Sequence, residues 1–175
     1  MGLSATIGCR LRGAGLIIAV ETLPPRQELA RRFGADVIVD HTRCDPVAGI
    51  MELTDGHGVD AAIEALGSRR TGEAAFRVTK PGGRISNVGY HREDLEPLEI
   101  PLEPFSYGMS DKQVYTRLNR GGCDWLNRLF LLMRTGKVDP TPMTTHEFRF
   151  DEIVKAFRMM EFKEDGIIKP LIHFD

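Results

Sequence analysis

No apolar run in this chain approaches the roughly 20 residues that a membrane helix needs. The longest, such as Leu16 to Val20 and Leu129 to Met133, are a fraction of that length, so no membrane span is expected. The chain also lacks a charged opening followed by an apolar stretch: after Met1 come Gly2, Leu3, Ser4, Ala5 and Thr6, which argues against a secretory signal and makes the reducing cytoplasm the default address. Cysteine is scarce. Cys9, Cys44 and Cys123 are odd in number and far apart, which excludes a disulfide framework and leaves no C-x-x-C metal knuckle. There is no excess of one charge: 23 basic against 25 acidic residues gives −2, so nucleic-acid binding through a basic surface is disfavoured. Internal repeats and low-complexity segments are absent. With 42% apolar and 27% charged residues, collagen, coiled coil and disorder are excluded as well. What remains is a globular chain of 175 residues, one domain or one domain plus a small appendage. That length suffices to bury a real core.

The residues that are present alternate in period. Leu3, Ile7 and Leu11 recur at helical spacing and end at Gly13-Ala14-Gly15, predicting a helix with no strand before it. Leu16 to Val20 follows as a short continuous run, the pattern of a strand buried on both faces. Thr22 is then placed to cap a helix with Pro24 and Pro25 in its first turn, an apolar face of Leu29, Ala30 and Phe33, and a Gly34 stop. The pattern repeats. Strands are expected at Val37–Val39, Val59–Ala65 and Arg84–Val88, helices at Val47–Leu53 and Thr71–Val78, and a turn at Lys80-Pro81-Gly82-Gly83. Strands separated by helices imply right-handed crossovers and a parallel sheet, an α/β doubly wound (Rossmann-type) architecture.

Beyond Val88 the pattern changes. His91 to Pro104 carries five acids and three prolines, which suits a solvated connection with a short edge strand at Leu98–Leu102. Gln113–Arg117 can form one more strand. Leu126, Leu129, Phe130 and Met133 lie at i, i+3, i+4 and i+7 before Gly136, a helix whose apolar residues, like Trp125, have ordinary core spacing. Asp151 can cap a helix carrying Ile153, Phe157 and Met160, and Ile167–Phe174 closes the chain as a strand.

A doubly wound sheet binds its ligand at the carboxyl ends of its strands, with phosphate at a G-x-G-x-x-G turn between the first strand and first helix. Here only Gly2 stands at the mouth of the first helix, and the strand that would precede it is missing. Nineteen residues beyond Gly2, at the end of the next strand, is Glu21. An acid about 20 residues after the glycines is the group that bonds a dinucleotide's ribose hydroxyls. An acid in that position can equally be a cap or a solvated charge.

The run from Met1-Gly2-Leu3 through Arg10-Leu11-Arg12-Gly13-Ala14-Gly15 to Ile17-Ile18-Ala19-Val20-Glu21 resembles the cofactor domain of zinc-dependent medium-chain alcohol dehydrogenases. The likeness continues through Phe33-Gly34-Ala35-Asp36, Lys80-Pro81-Gly82-Gly83 and Ser86-Asn87-Val88. Beyond these, Gly108-Met109-Ser110-Asp111-Lys112, Gly136-Lys137-Val138-Asp139-Pro140 and Ile168-Lys169-Pro170 are similar to the secondary-alcohol branch. The resemblance implies an incomplete dinucleotide-binding domain over 1–142, and over 143–175 a helix and strand of the family's catalytic domain. Gly2 then matches the last glycine of the phosphate turn, Glu21 and Thr22 the position that selects the cofactor, and His41 a place beside the adenine. Ala65, Val88, Gly89 and Tyr90 fall on the nicotinamide half. Leu23 stands where NADP users of this branch carry arginine, so the implied cofactor is NAD. The family's catalytic zinc sits in an N-terminal domain that these residues do not include, and no catalytic residue is assigned.

Other constellations fare worse. His57 reads as a turn residue, His91 opens the acidic loop, and His146 and His173 lie on strands without a partner at zinc-ligand spacing. Asp40-His41 resembles a base and its orienter, but adjacent strand residues point to opposite faces. Gly108-Met109-Ser110-Asp111-Lys112 lacks the closing glycine of a nucleophile elbow. Two readings stay open: the nucleotide-binding half of an NAD-dependent oxidoreductase acting on a small alcohol or ketone, or a catalytically silent remnant of that family. A homo-oligomer is expected, paired through the Leu98–Leu102 edge. Met1, where the family has valine, is expected not to start a complete enzyme. The absent central strand should leave Leu16–Val20 facing Val59–Ala65 across a gap.

Overall fold

The computed structural model describes residues 1–91, 97, 99–118 and 120–174. Its first helix is α1 (Gly2–Leu11), followed by β1 (Ile18–Val20), α2 (Pro24–Arg32), β2 (Val37–Val39), α3 (Pro46–Leu53), β3 (Val59–Glu64), α4 (Arg69–Val78), β4 (Thr79–Asn87) and β5 (Gln113–Thr116). The chain ends with α5 (Cys123–Arg134), β6 (Thr144–Arg149), α6 (Ile153–Phe162) and β7 (Lys169–His173). Every strand pair is parallel, because each strand is reached from its neighbour through a helix or a long connection.

The strands form three sheets: β1 with β2, β3-β4-β5 in that order, and β6 with β7. The expected gap is there, since no backbone pairing joins β1 to β3. Side chains cross it. Val39, Ile50 and Val78 are buried in one cluster, with Ile18 of β1 and Val59 and Ala62 of β3 packed around them. Phe76, 2% exposed, is the centre of a second cluster with Ala75 and Ile85, and Phe105 meets its ring edge-on at 6.1 Å. The β6–β7 unit has its own core of Phe148, Ala156 and Ile167.

Several expectations need correction. β1 is shorter than Leu16–Val20 and not buried on both faces: Leu16 and Val20 are 48% and 45% exposed, because one flank of the strand has no partner. Thr22 does not cap α2. Leu23 is the N-cap, extended as a residue before proline tends to be, and Thr22 instead donates its N–H to Glu21. No strand forms over 99–102: Pro101 has no N–H for a ladder and the chain turns from Leu102, while Leu98 lies outside the described residues. The true outer edge is β5. Asp151 does not cap α6 either, since Glu152 takes that place and its Oε2 accepts from the Arg149 N–H at 3.3 Å. In α5 the core spacing is correct but the core is absent, with Leu126, Leu129, Phe130 and Leu131 between 42% and 55% exposed. The Lys80–Gly83 turn is looped out inside β4, whose Thr79 pairs with Val59 and whose Arg84 resumes opposite Ala61.

Candidate functional site

Three groups of candidate residues lie at strand carboxyl ends or at a helix mouth. The mouth of α1 is open. No side chain caps it, and a Cβ on Gly2 would meet nothing within 4 Å. The first N–H groups of such a helix have no intrahelical partner and carry the positive end of its dipole. Burial, then the cations of Lys169 and Arg26, push the Met1 amine below its ordinary value, so two basic side chains stand near this mouth. That is the chemistry of a phosphate seat.

The second group sits where β1 and β2 end side by side, Val20 opposite Val39. Glu21 donates its N–H to the Val39 carbonyl at 3.1 Å, continuing the ladder by one residue. Its carboxylate Oε1 accepts the N–H groups of Thr22 (2.8 Å) and Leu23 (3.0 Å), which orients a half-buried acid at the strand end. The Gln27 amide donates to the Glu21 carbonyl at 2.8 Å and to Asp40 Oδ2 at 3.4 Å, tying the two strand ends together. Asp40 accepts the hydroxyl and the N–H of Thr42, bonds that hold its carboxyl below the usual range. His41 is exposed, and no hydrogen bond to another described residue engages its ring. Asp40 and His41 therefore do not act as an acid–base pair.

The third group, at the ends of β3 and β4, is organised by a residue with no signal in the sequence. Glu64, last in β3, has a side chain only 1% exposed. Its Oε1 accepts the N–H groups of Leu66 and Gly67 and the hydroxyl of Thr71, each at 2.8 Å. Its Oε2 is buried with no hydrogen-bond partner and lies 3.5 Å from His91 Nε2. Its carbonyl accepts the N–H groups of Val88 (2.8 Å) and Gly89 (3.1 Å). Ala65 is half-buried beside this knot, Gly89 is buried in it, and Val88 and Tyr90 project outward at 38% and 76% exposure. Asn87 adds a tie, donating Nδ2 to the Gly89 carbonyl at 3.1 Å while His91 Nε2 bonds its Oδ1 at 2.8 Å. The loops touch backbone to backbone: a Cβ on Gly89 would lie 2.3 Å from Gly67 N, and one on Gly67 2.4 Å from the Tyr90 oxygen.

The structure brings Glu21, Thr22 and His41 to one edge and Ala65, Val88, Gly89 and Tyr90 to another, with Gly2 at the helix mouth. No hydrogen bond among the described residues joins the three groups. Among those residues, no three His, Cys, Asp or Glu side chains converge as metal donors would, so the donors present do not fit a zinc site. His146 bonds Thr145 and Asp165, and His173 bonds Glu147. No helix is long and apolar enough to cross a membrane among the described residues.

Comparison with known proteins bears on the site as a whole. A family model described as zinc-binding dehydrogenase matches residues 1–122. An alcohol dehydrogenase of Cupriavidus necator is 43% identical over 172 residues, which is 98% of this chain and 46% of that protein. An NADP-dependent isopropanol dehydrogenase of Thermoanaerobacter brockii is 42% identical over 173 residues, 98% of this chain and 49% of that protein. The crystal structure of benzyl alcohol dehydrogenase from Acinetobacter calcoaceticus superposes with a TM-score of 0.86 at 28% identity, covering 99% of this chain and 47% of that one. The chain thus spans about half the length of the curated relatives it matches.

Proposed function

This chain belongs to the zinc-binding dehydrogenase family, and from that premise we propose that it is the nucleotide-binding half of an oxidoreductase moving a hydride between NAD and a small secondary alcohol or its ketone. The observation that carries the reading is the oriented carboxylate of Glu21 at the end of β1, with the uncapped mouth of α1 in support. A dinucleotide laid along the strand ends would set its pyrophosphate at Gly2 and its adenosine ribose on Glu21 and Thr22, with the adenine beside His41. Its nicotinamide would meet Ala65, Val88, Gly89 and Tyr90. When bound, the nucleotide supplies the hydride chemistry; the chain's residues bind and orient it.

NAD is favoured over NADP by charge. Glu21 accepts from ribose hydroxyls and repels a 2′-phosphate, and Leu23 offers that phosphate no cation. The Thermoanaerobacter relative is named for NADP, so the discriminating measurement is on this chain. Isothermal titration should find NAD bound more tightly than NADP, and Glu21→Ala should weaken NAD and narrow the difference. Equal affinity for both nucleotides in the unaltered chain would remove the NAD assignment, and no binding of either would favour the catalytically silent reading.

The division at residue 142 rests on the separate β6–β7 sheet and its own core, which suit a return segment of a catalytic domain. Any catalytic zinc belongs to the part of the relatives this chain does not span. Self-association would run through β5, whose Gln113–Thr116 are all exposed at the edge of its sheet. Three free thiols, Cys9, Cys44 and Cys123, suit work in the reducing cytoplasm.

A further inference from the structure

Burying a carboxylate is costly unless hydrogen bonds replace its water, and at Glu64 three donors meet this cost on one oxygen while the other has no hydrogen bond and only the His91 ring 3.5 Å away. Its placement explains what is gained. One residue takes four backbone N–H groups from two loops: Leu66 and Gly67 on its carboxylate, Val88 and Gly89 on its carbonyl. Thr71, in the first turn of α4, adds its hydroxyl, so the helix is fixed to the same point. The two loops are pressed together so closely that neither Gly67 nor Gly89 has room for a Cβ. A leucine would fill the same volume, yet would leave the Leu66 and Gly67 N–H groups without an acceptor.

We propose that Glu64 is a positioning residue for the nicotinamide end of the cofactor, stapling the Ala65–Gly67 and Val88–Tyr90 loops into the one arrangement in which Val88 and Tyr90 project toward the ring. The inference rests on the reading that those loops line the nicotinamide, and it adds that the adenosine end is indifferent to Glu64. Asn87 and His91 act in support, since Asn87 holds the Gly89 carbonyl and His91 stands at both Asn87 and the bare Oε2.

The test separates the two ends of the cofactor. NADH reports on its ring by an enhanced emission when the nicotinamide is held away from water, whereas ADP-ribose has no ring and reads the adenosine and pyrophosphate contacts alone. Both are titrated against the 175-residue chain and against Glu64→Ala, Glu64→Gln and Thr71→Val, with circular dichroism to establish which variants fold. Glu64→Ala should abolish the enhancement and weaken NADH about 10-fold, the equivalent of 1.4 kcal/mol, while ADP-ribose stays within about 2-fold. Glu64→Gln keeps an oxygen for the three donors but loses the charge that makes such bonds roughly twice as strong, so about a 3-fold loss for NADH is expected. Thr71→Val should fall near the same value. If Glu64→Ala does not fold, the other two variants decide. Parallel losses for NADH and ADP-ribose, or unchanged emission in folded variants, would overturn the inference while leaving the nicotinamide reading intact. If the unaltered chain binds ADP-ribose but gives NADH no enhancement, that reading fails and takes the inference with it.

Discussion

A glutamate stands at the carboxyl end of each of two strands, and the two acids live in opposite surroundings. Glu21 directly follows β1 and Glu64 is the last residue of β3; each turns one carboxylate oxygen onto two backbone N–H groups just ahead in the chain. Glu21 is half-buried, and no hydrogen bond from another described residue reaches its second oxygen. Glu64 ends a strand that, like β1, is paired on one flank only, yet its side chain is 1% exposed and its second oxygen is buried beside His91. A glutamate at a strand end is thus left with one oxygen unengaged in one case and made a fastening of two loops in the other. The loops that follow β3 and β4, and the absence of a Cβ at Gly67 and Gly89 where they meet, make the difference.

Substitutions around the sealed site should have the largest effects. Gly89→Ala forces a methyl against Gly67 backbone and Glu64 Oε2, where a Cβ would stand 2.2 Å from the oxygen. A cost of roughly 3 kcal/mol or more is expected, read as a lower denaturant midpoint with unchanged slope. Next comes the matched pair Glu64→Gln and Glu21→Gln. At Glu64 a buried, charge-assisted set is weakened and about 1–3 kcal/mol of stability should be lost. At Glu21 the same exchange should cost less than about 1 kcal/mol of stability, and its effect should appear as weaker NAD in titration. Equal stability losses at the two positions would break the contrast.

The smallest effect is in acid. Thr42 holds the Asp40 carboxyl below its usual range through its hydroxyl and then its N–H. A carboxyl whose folded value is lowered contributes stability above the ordinary carboxylate range and loses it as pH falls through the lowered value. Asp40→Asn should therefore lower the neutral plateau slightly while leaving the most acidic points unchanged, so that the acid limb flattens, which urea titrations at stepped pH would detect. An unaltered acid limb would remove Asp40 from the pH response.

The sequence made some of this legible because local rules sufficed. Val37–Val39 is a strand to the residue, since three β-branched side chains bounded by Ala35-Asp36 and Asp40 leave little choice. Helix α4 and β5 also fall within a few residues of their expected bounds. β1 came out shorter because its length depends on a neighbour, and a one-sided ladder holds only Ile18–Val20. The spacing of Leu126, Leu129 and Phe130 predicts a stripe, but a stripe does not say what covers it. The burial of Glu64 has no local sequence signal for a related reason. An acid after Val59-Asp60-Ala61-Ala62-Ile63 looks like a solvated strand end, and its burial is created by Thr71, Val88 and Gly89, which only the fold brings to it.

Because no main-chain bond carries β1 across to β3, the β1–β2 pair is coupled to the larger sheet through the side chains around Val39, Ile50 and Val78. Cooperative opening follows such boundaries. Amide protons bonded within β1 and β2, such as the Glu21 N–H, should exchange with solvent deuterium through a local event that leaves the β3–β4 ladder closed. Protons of Ile85 and Ser86 should wait for global unfolding. A protein divided in this way has two clocks rather than one, and the faster of them governs the strand ends where Glu21 stands.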